Sequence, residues 1–284
     1  MNGIKYNVIN TDADGFTACF ADCELLYNTF ITKEIFKLDF VWPGSAPRAG
    51  QFFMVKPKRT SVFLGRPVSF ANWQPQAKDR EYIRKFNTIS LLILRKGRGT
   101  TELASMKNGE EAEIIGPLGN AWSDFLPPEK NPKDKPIALV GGGIGIAPLN
   151  ALLCETPDYG YVFHAGFKKS LKNYDEKDML LGPAVLSADK MIIASEDGKS
   201  DNKGFITDFF EAEKYSAVCA CGPEAMLRII AEKCAAAGVP CYVSLERHMA
   251  CGVGACLGCA VETTKGMRRC CADGPIFPAS EVFF

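Results

Sequence analysis

Short runs in which apolar and polar positions alternate occupy the first part of the chain: "TACFADCELLYN", "IFKLDFVW", "QFFMVKP", "NTISLLILRKG" and "EAEIIGP", separated by Gly, Pro and Lys-rich turns. That period predicts an antiparallel all-β unit over residues 1–128, in the form of a small barrel. "GRPVSF" (65–70) reads as lying near the end of one of its strands. The segment "LPPEKNPKDKP" (126–136) is proline-rich and charged, which disfavours helix and ladder alike and predicts a linker. Beyond it the texture changes. "IALVGGG", "GYVFHAGF", "MIIASED" and "AVCACGP" are uniformly apolar strands, alternating with "APLNALLCET", "TDFFEAEK" and "EAMLRIIAEKCAAAG". Strands apolar on both faces, separated by amphipathic helices, predict a parallel α/β sheet over 133–240. From Cys241 to Phe284 the chain is rich in glycine and cysteine and reads as a third small unit.

A chain of 284 residues is long for one core, in keeping with this division. The 33 basic and 33 acidic residues balance, which argues against a nucleic-acid or anionic-membrane surface and for small-molecule or protein partners. "MNGIKYNVINTDAD" has neither a basic start with an apolar stretch nor a cleavage site, and the longest apolar runs are interrupted by Gly and Pro. A cytoplasmic protein is expected. Twelve cysteines without a secretion signal read as metal or cluster ligands rather than as a disulfide framework.

Cys251, Cys256, Cys259 and Cys271 follow C-x4-C-x2-C-x11-C, which begins as the plant-type 2Fe-2S pattern does. A zinc knob held by the same four thiolates satisfies the spacing equally. The intervening Gly252, Gly254, Ala255 and Gly258 favour iron, because they let the backbone wrap closely and aim N–H groups at bridging sulfides. Cys270 stands beside Cys271 as a competing fourth ligand, and His248 as an ordinary flanking polar residue. Cys19, Cys23, Cys154 and Cys234 fall in apolar patterns and are expected in the core.

Four stretches read as phosphate or nucleotide sites. In "GRPVSF", Arg66 precedes a proline that fixes the backbone and Ser69 follows it, a pair able to grip a pyrophosphate. Gly97, Gly99, Thr100 and Thr101 open the helix-like "TELASM". In "IALVGGGIGIAPL" (137–149) a strand runs into glycines and then a helix with Pro148 near its first turn, which sets a phosphate at a helix N-terminus. It departs from G-x-G-x-x-G, since Ile146 holds the last position, and a ligand-free tight turn is the alternative. "CACGPEAML" (219–227) is a second such turn, with Cys221 at the sheet edge where open α/β sheets bind ligands.

In this order, R-P-x-S, G-x-G-T, G-G-G-x-G-x-A-P and C-G-P-E-x-M resemble the ferredoxin-NADP reductase superfamily of FAD proteins. The tail "ERHMACGVGACLGCAV…CCADGPIF" narrows the resemblance to the electron-transfer subunits of two-component, NAD-linked dihydroorotate dehydrogenases, with "AGQFFMV", "GPLGN" and "GFITDFF" matching as well. The resemblance implies an FAD-binding barrel, an NAD(P)-binding domain and a 2Fe-2S domain. It implies that Arg66, Pro67, Val68 and Ser69 hold FAD, with Leu92, Ile93 and Leu94 lining it and Gly99 and Thr100 at its pyrophosphate. Gly142, Gly143, Ile144, Gly145, Ala147 and Pro148, with Cys221, Gly222, Pro223, Glu224 and Met226, would receive the nicotinamide nucleotide. The match to C-x-D-G-P selects Cys271 over Cys270. The implied role is an oxidoreductase subunit of pyrimidine biosynthesis, passing electrons from a partner FMN dihydroorotate dehydrogenase to NAD within a heterotetramer. An NAD(P)H-ferredoxin or sulfide-dehydrogenase-type subunit is the alternative, and a zinc-stabilised binding module the reading from another class. Lys168, Lys169 and Ser170 in "GFKKSLKN" leave NADP open beside NAD, and the charged stretch 71–86 is longer than a hairpin needs.

Overall fold

The computed structural model describes residues 6–11, 17–74, 87–126, 135–171 and 174–284. Strands β1 (Tyr6–Thr11), β2 (Thr17–Phe30), β3 (Ile35–Val41), β4 (Phe52–Pro57), β5 (Arg66–Gln74), β6 (Thr88–Leu94) and β7 (Glu111–Leu118) pair in the order β1-β2-β3-β6-β5-β4-β7, and β2 closes back on β7. The result is the antiparallel barrel read from the alternating pattern, its interior filled by Phe36, Leu38, Phe40, Phe53, Ile89 and Leu91. Closure removes the free sheet edges that so many short strands would otherwise expose. A seven-residue helix, α1 (Arg98–Ala104), joins β6 to β7.

The "GRPVSF" motif begins a strand rather than ending one, because Arg66 is the first residue of β5. Of the 71–86 stretch, residues 71–74 continue β5 and 75–86 lie outside the described residues.

After the predicted linker, most of it outside the described residues, come β8 (Ile137–Gly142), α2 (Ile146–Glu155), β9 (Tyr161–Phe167), α3 (Tyr174–Ser187), β10 (Lys190–Ser195), β11 (Asn202–Lys203), β12 (Ala217–Cys221), α4 (Glu224–Ala237) and β13 (Cys241–Ser244). The sheet order is β11-β10-β9-β8-β12-β13-β16, parallel except for β16 (Ile276–Pro278), which returns antiparallel to β13. Every residue of β8 is buried, as expected of a strand covered on both faces. α2 and α3 pack in the core shared with the barrel, while α4 belongs to the core of the other face. "TDFFEAEK" forms two short 3-10 turns rather than a helix. The sequence boundary at 240 falls just before β13, which is part of this sheet; we place the start of the cysteine-rich unit after Ser244. That unit contributes a hairpin, β14 (Ala260–Thr263) and β15 (Gly266–Arg269), and then sends β16 back into the sheet. Among the described residues no helix is long and apolar enough to cross a membrane.

Cys19, Cys23 and Cys234 are buried as expected, but Cys154 is exposed. It lies one residue from the end of α2, whose last two residues are exposed.

His164 on β9 is fully buried, with Nε2 2.7 Å from the Tyr215 hydroxyl and its ring edge-on to Phe210. Burial, helped by the Lys190 charge, lowers its pKa from 6.5 to about 4. The unfolded chain therefore binds this proton near pH 6.5 while the folded chain resists it until about pH 4. Stability from this residue is full above the unfolded value and falls as pH drops through that window, by about 3 kcal/mol in all. Urea midpoints measured at pH 7.5 and 4.5 should show this loss in the native chain and a smaller one in His164→Phe. An equal acid loss in both would remove His164 as the cause.

Candidate functional site

Three groups of residues converge where the barrel, the sheet edge and the cysteine-rich unit meet. The first is a seam in the barrel. The β5–β6 ladder ends at Phe70↔Leu91, so Arg66–Ser69 and Leu92–Leu94 run on without hydrogen-bonding each other, β5 having turned to pair with β4 from Phe52↔Ser69 to Val55↔Arg66. An opened ladder leaves backbone donors and acceptors available to a flat polar ring. Leu92 and Ile93 are buried and Leu94 is half-buried.

Arg66 donates from one guanidinium nitrogen to the Leu64 carbonyl at 2.8 Å and to the Gly65 carbonyl at 3.2 Å. Its side chain lies against Gly99, where an added Cβ would stand 2.3 Å from Nε. The glycine thus lets the arginine reach the start of α1. Thr100 is occupied locally, its hydroxyl accepting from the Lys96 and Gly97 N–H groups and donating to the Gly97 carbonyl. It shapes the turn. A cleft of about 1020 Å³ beside α1 is lined by Glu24, Glu102, Glu110 and Glu111 as well as Lys58 and Arg59, a mixture ill-suited to a pyrophosphate by itself.

If Arg66 grips a pyrophosphate, Arg66→Ala removes a charge-assisted contact worth about 1.5–3 kcal/mol, roughly a ten- to hundredfold weaker flavin. Flavin content after extended dialysis measures it, and unchanged content would dismiss the role.

The second group is the carboxyl edge of the sheet. β8 and β12 are neighbours, with Gly141 opposite Cys221, so the two glycine turns that follow them touch. A Cβ on Gly145 would lie 2.2 Å from the Cys221 carbonyl oxygen and 2.9 Å from the Gly222 nitrogen; one on Gly142 would lie 2.7 Å from Pro223 Cδ and 2.8 Å from Met226 Sδ. Gly142–Pro148 and Cys221–Met226 are therefore one continuous surface. Burial, the Glu246 charge and, in the opposite sense, a bond with Ser244 set the Cys221 thiol at about 12, so it is neutral here. Glu224, implied as a nucleotide contact, spends its carboxylate on Arg247 at 2.9 Å. That pair ties the turn to the segment leading into the cysteines.

Further along this edge, Lys168 and Lys169 are exposed. Ser170 turns its N–H to both carboxylate oxygens of Asp197 at 3.1 Å and its hydroxyl to one of them at 3.2 Å. Although desolvation, the largest single contribution, acts the other way, hydrogen bonds from Ser195, Ser170 and Lys199 together lower the Asp197 pKa. The loop is thus held by an ionised carboxylate, with Glu196 beside it, which disfavours a 2'-phosphate and suits a ribose hydroxyl. The sequence reading takes in the lysines and not the carboxylates, although "EDG" directly follows a strand.

The third group is the thiols. The thiol of Cys251 stands beside that of Cys256, and the thiol of Cys259 beside that of Cys271. Backbone N–H groups point at sulfur: Gly254 to Cys271 Sγ at 3.2 Å and Cys271 to Cys259 Sγ at 3.4 Å. Burial opposes it, yet the N–H groups of Cys256, Val253 and Ala255 and the neighbouring thiol bring Cys251 down to about 7. Positive φ at Gly252, Gly254 and Leu257 aims these N–H groups inward. Cys270 is turned away, its buried thiol donating to the Leu245 carbonyl at 3.3 Å. His248 is exposed. Two thiol pairs with N–H groups aimed at sulfur fit a two-iron cluster, which takes two thiolates at each iron. Cys256 is exposed, next to the exposed Val253 and Leu257.

Comparison with known proteins agrees with this layout. Residues 246–283 match the model of the iron-sulfur cluster binding domain of dihydroorotate dehydrogenase B. The chain is 38% identical over 240 residues to the dihydroorotate dehydrogenase B (NAD(+)) electron transfer subunit of Clostridium perfringens, covering 83% of this chain and 87% of that one. It is 34% identical to the subunit of the same name from Caldanaerobacter subterraneus subsp. tengcongensis, covering 92% and 97%. Among solved structures, a chain of the NADH-dependent reduced ferredoxin-NADP oxidoreductase superposes with a TM-score of 0.73 at 23% identity, covering 92% of this chain and 89% of that one. A ferredoxin NADP+ reductase from Neisseria gonorrhoeae superposes with a TM-score of 0.57 at 17% identity, covering 81% and 95%. These last two likenesses concern the fold.

Proposed function

The chain belongs to the family of dihydroorotate dehydrogenase B electron-transfer subunits, and from that membership we propose that it passes electrons taken from dihydroorotate by a separate FMN-bearing catalytic subunit on to NAD. The observation carrying this reading is the pair of thiol pairs set beside the barrel strands of the flavin motif. When bound, a 2Fe-2S cluster supplies one-electron transfer, FAD exchanges single electrons for a pair, and NAD accepts that pair as a hydride.

The residues divide the work. Cys251 and Cys256 would hold one iron, Cys259 and Cys271 the other, while N–H groups of the glycine-rich loop stabilise the charge on sulfur. Arg66 and Gly99 would seat the flavin pyrophosphate, and the open seam between Arg66–Ser69 and Leu92–Leu94 its ring. Gly142–Pro148 and Cys221–Met226 would take the nicotinamide nucleotide. The Asp197 cap and Glu196 support NAD over NADP. The neutral Cys221 thiol adds no charge where a hydride must pass. Exposure of Cys256, Val253 and Leu257 supports a partner approaching from the cluster side, with a heterotetramer and a cytoplasmic setting as part of the same proposal.

The alternative, an NAD(P)H-ferredoxin or sulfide-dehydrogenase-type subunit, has support only at the level of fold, at 23% identity. The test is division of labour. Isolated protein should carry FAD, iron and sulfide and should reduce an artificial acceptor with NADH, yet turn over no dihydroorotate until the FMN subunit is added. Dihydroorotate oxidation by the lone chain would sink the proposal.

A further inference from the structure

Two motifs distant in sequence, "GPLGN" at the end of β7 and "CADGPIF", which begins at the last thiol, Cys271, meet in a joint. The Asn120 side-chain amide brackets Ile276, accepting from its N–H at 3.0 Å and donating to its carbonyl at 2.8 Å, with a longer bond to the Asp273 carbonyl at 3.4 Å. The Asn120 N–H donates to the Gly274 carbonyl at 2.7 Å. Gly119, at φ +77°, permits this approach, since a Cβ there would stand 2.6 Å from the Gly274 oxygen. On the thiol side, Asp273 clamps Arg269 through its backbone N–H at 2.7 Å and its guanidinium at 3.0 Å. The clamp spans Cys271.

A second contact completes the seat. Gly252, next to Cys251, lies on the barrel so tightly that a Cβ would be 2.5 Å from Met54 Cγ and 3.2 Å from Leu118 Cδ1. Met54 belongs to β4, where it stands opposite Pro67 of the flavin motif, and Leu118 ends β7, the strand on the other side of β4. The thiol loop therefore rests on β4 and β7, and β4 is the strand paired to β5, which carries one side of the seam.

We propose that Asn120 is a positioning residue that sets the distance between the thiol loop and the flavin seam, and with it the rate of electron transfer between them. Tunnelling rates fall steeply with separation and with loss of packed atoms between donor and acceptor, so a loosened joint slows transfer without touching either binding site. An amide suits the position because Ile276 offers one donor and one acceptor side by side. Aspartate would set an oxygen against the Ile276 carbonyl and lose that bond.

This inference rests on the flavin and cluster assigned above, and its test separates the two. Asn120→Asp, Asn120→Ala and Met54→Ala are purified anaerobically, assayed for FAD and iron, and mixed with NADH while flavin and cluster absorbance are followed separately. Wild-type protein lacking flavin or iron would overturn the earlier reading. With both present, the variants should keep their iron, reduce the flavin within twofold of the wild-type rate, and reduce the cluster at least tenfold more slowly in the Asn120 variants, at an unchanged cluster midpoint potential. Magnetic dipolar coupling between the one-electron-reduced flavin and the reduced cluster should weaken in parallel, a readout independent of turnover. If the Asn120 variants fail to fold, Met54→Ala decides by the same measurements. Iron-replete variants with wild-type cluster reduction would overturn the proposal, and so would loss of iron itself, since the joint would then retain the cluster rather than position it.

Discussion

Cys256→Ser is expected to abolish the visible and paramagnetic signals of the iron-sulfur centre and all electron delivery between chain and partner subunit, while Cys270→Ser leaves both. Cys256 is exposed and stands in a pair with Cys251, so a hydroxyl there leaves one iron with a single thiolate. Cys270, adjacent to Cys271 in sequence, is engaged with the Leu245 carbonyl. A buried thiol turned away from the other three is a poor ligand. Hydride exchange between NADH and flavin should survive in Cys256→Ser, because the seam and the glycine edge lie on other elements. Iron analysis, the reduced-state paramagnetic spectrum and NADH-driven dye reduction check the three statements. Loss of the signal in Cys270→Ser alone would reverse the ligand assignment.

Gly145→Ala should raise the KM for NADH at least about fivefold and leave flavin and iron contents unchanged. The added methyl would stand 2.2 Å from the Cys221 carbonyl oxygen and 2.6 Å from its carbon. Those are backbone atoms of a strand locked between β8 and β13, so nothing flexible can yield and the two turns must part. Such overpacking costs roughly 1–3 kcal/mol, taken directly from the surface on which the nucleotide would lie. Gly97→Ala, where a Cβ meets nothing within 4 Å, is the matched control. Equal NADH kinetics in the two variants would show that the contact between the turns plays no part in nucleotide binding.

Local chemistry made much of this molecule legible. Alternation along "IFKLDFVW" and "NTISLLILRKG" is enough for barrel strands, and continuous burial along "IALVGGG" for a parallel sheet, because each depends only on which faces of one strand meet water. The four cysteines at their spacing reported a metal cluster for the same reason, since their ligand loop is nearly contiguous. Elsewhere local signals misled. Pro183 and Gly182 within α3 hid a helix that Leu180, Leu181 and Ala184 hold by packing in the shared core. Cys154 looked like a core residue in an apolar run and is exposed, because the side of α2 that faces the barrel was not knowable from α2 itself.

By itself, the sequence determined the kinds of element, the division into barrel, sheet and cysteine-rich tail, and the chemistry the thiols and glycine turns can support. Tertiary structure alone decided how these meet. The opening of the β5–β6 ladder, the contact of Gly145 with Cys221, the carboxylate holding the Ser170 loop and the turning away of Cys270 all join residues remote in the chain. Asn120 and Ile276, 156 positions apart, are the extreme case. Periodicity records whether a side chain is buried, and it carries no record of what that side chain is buried against.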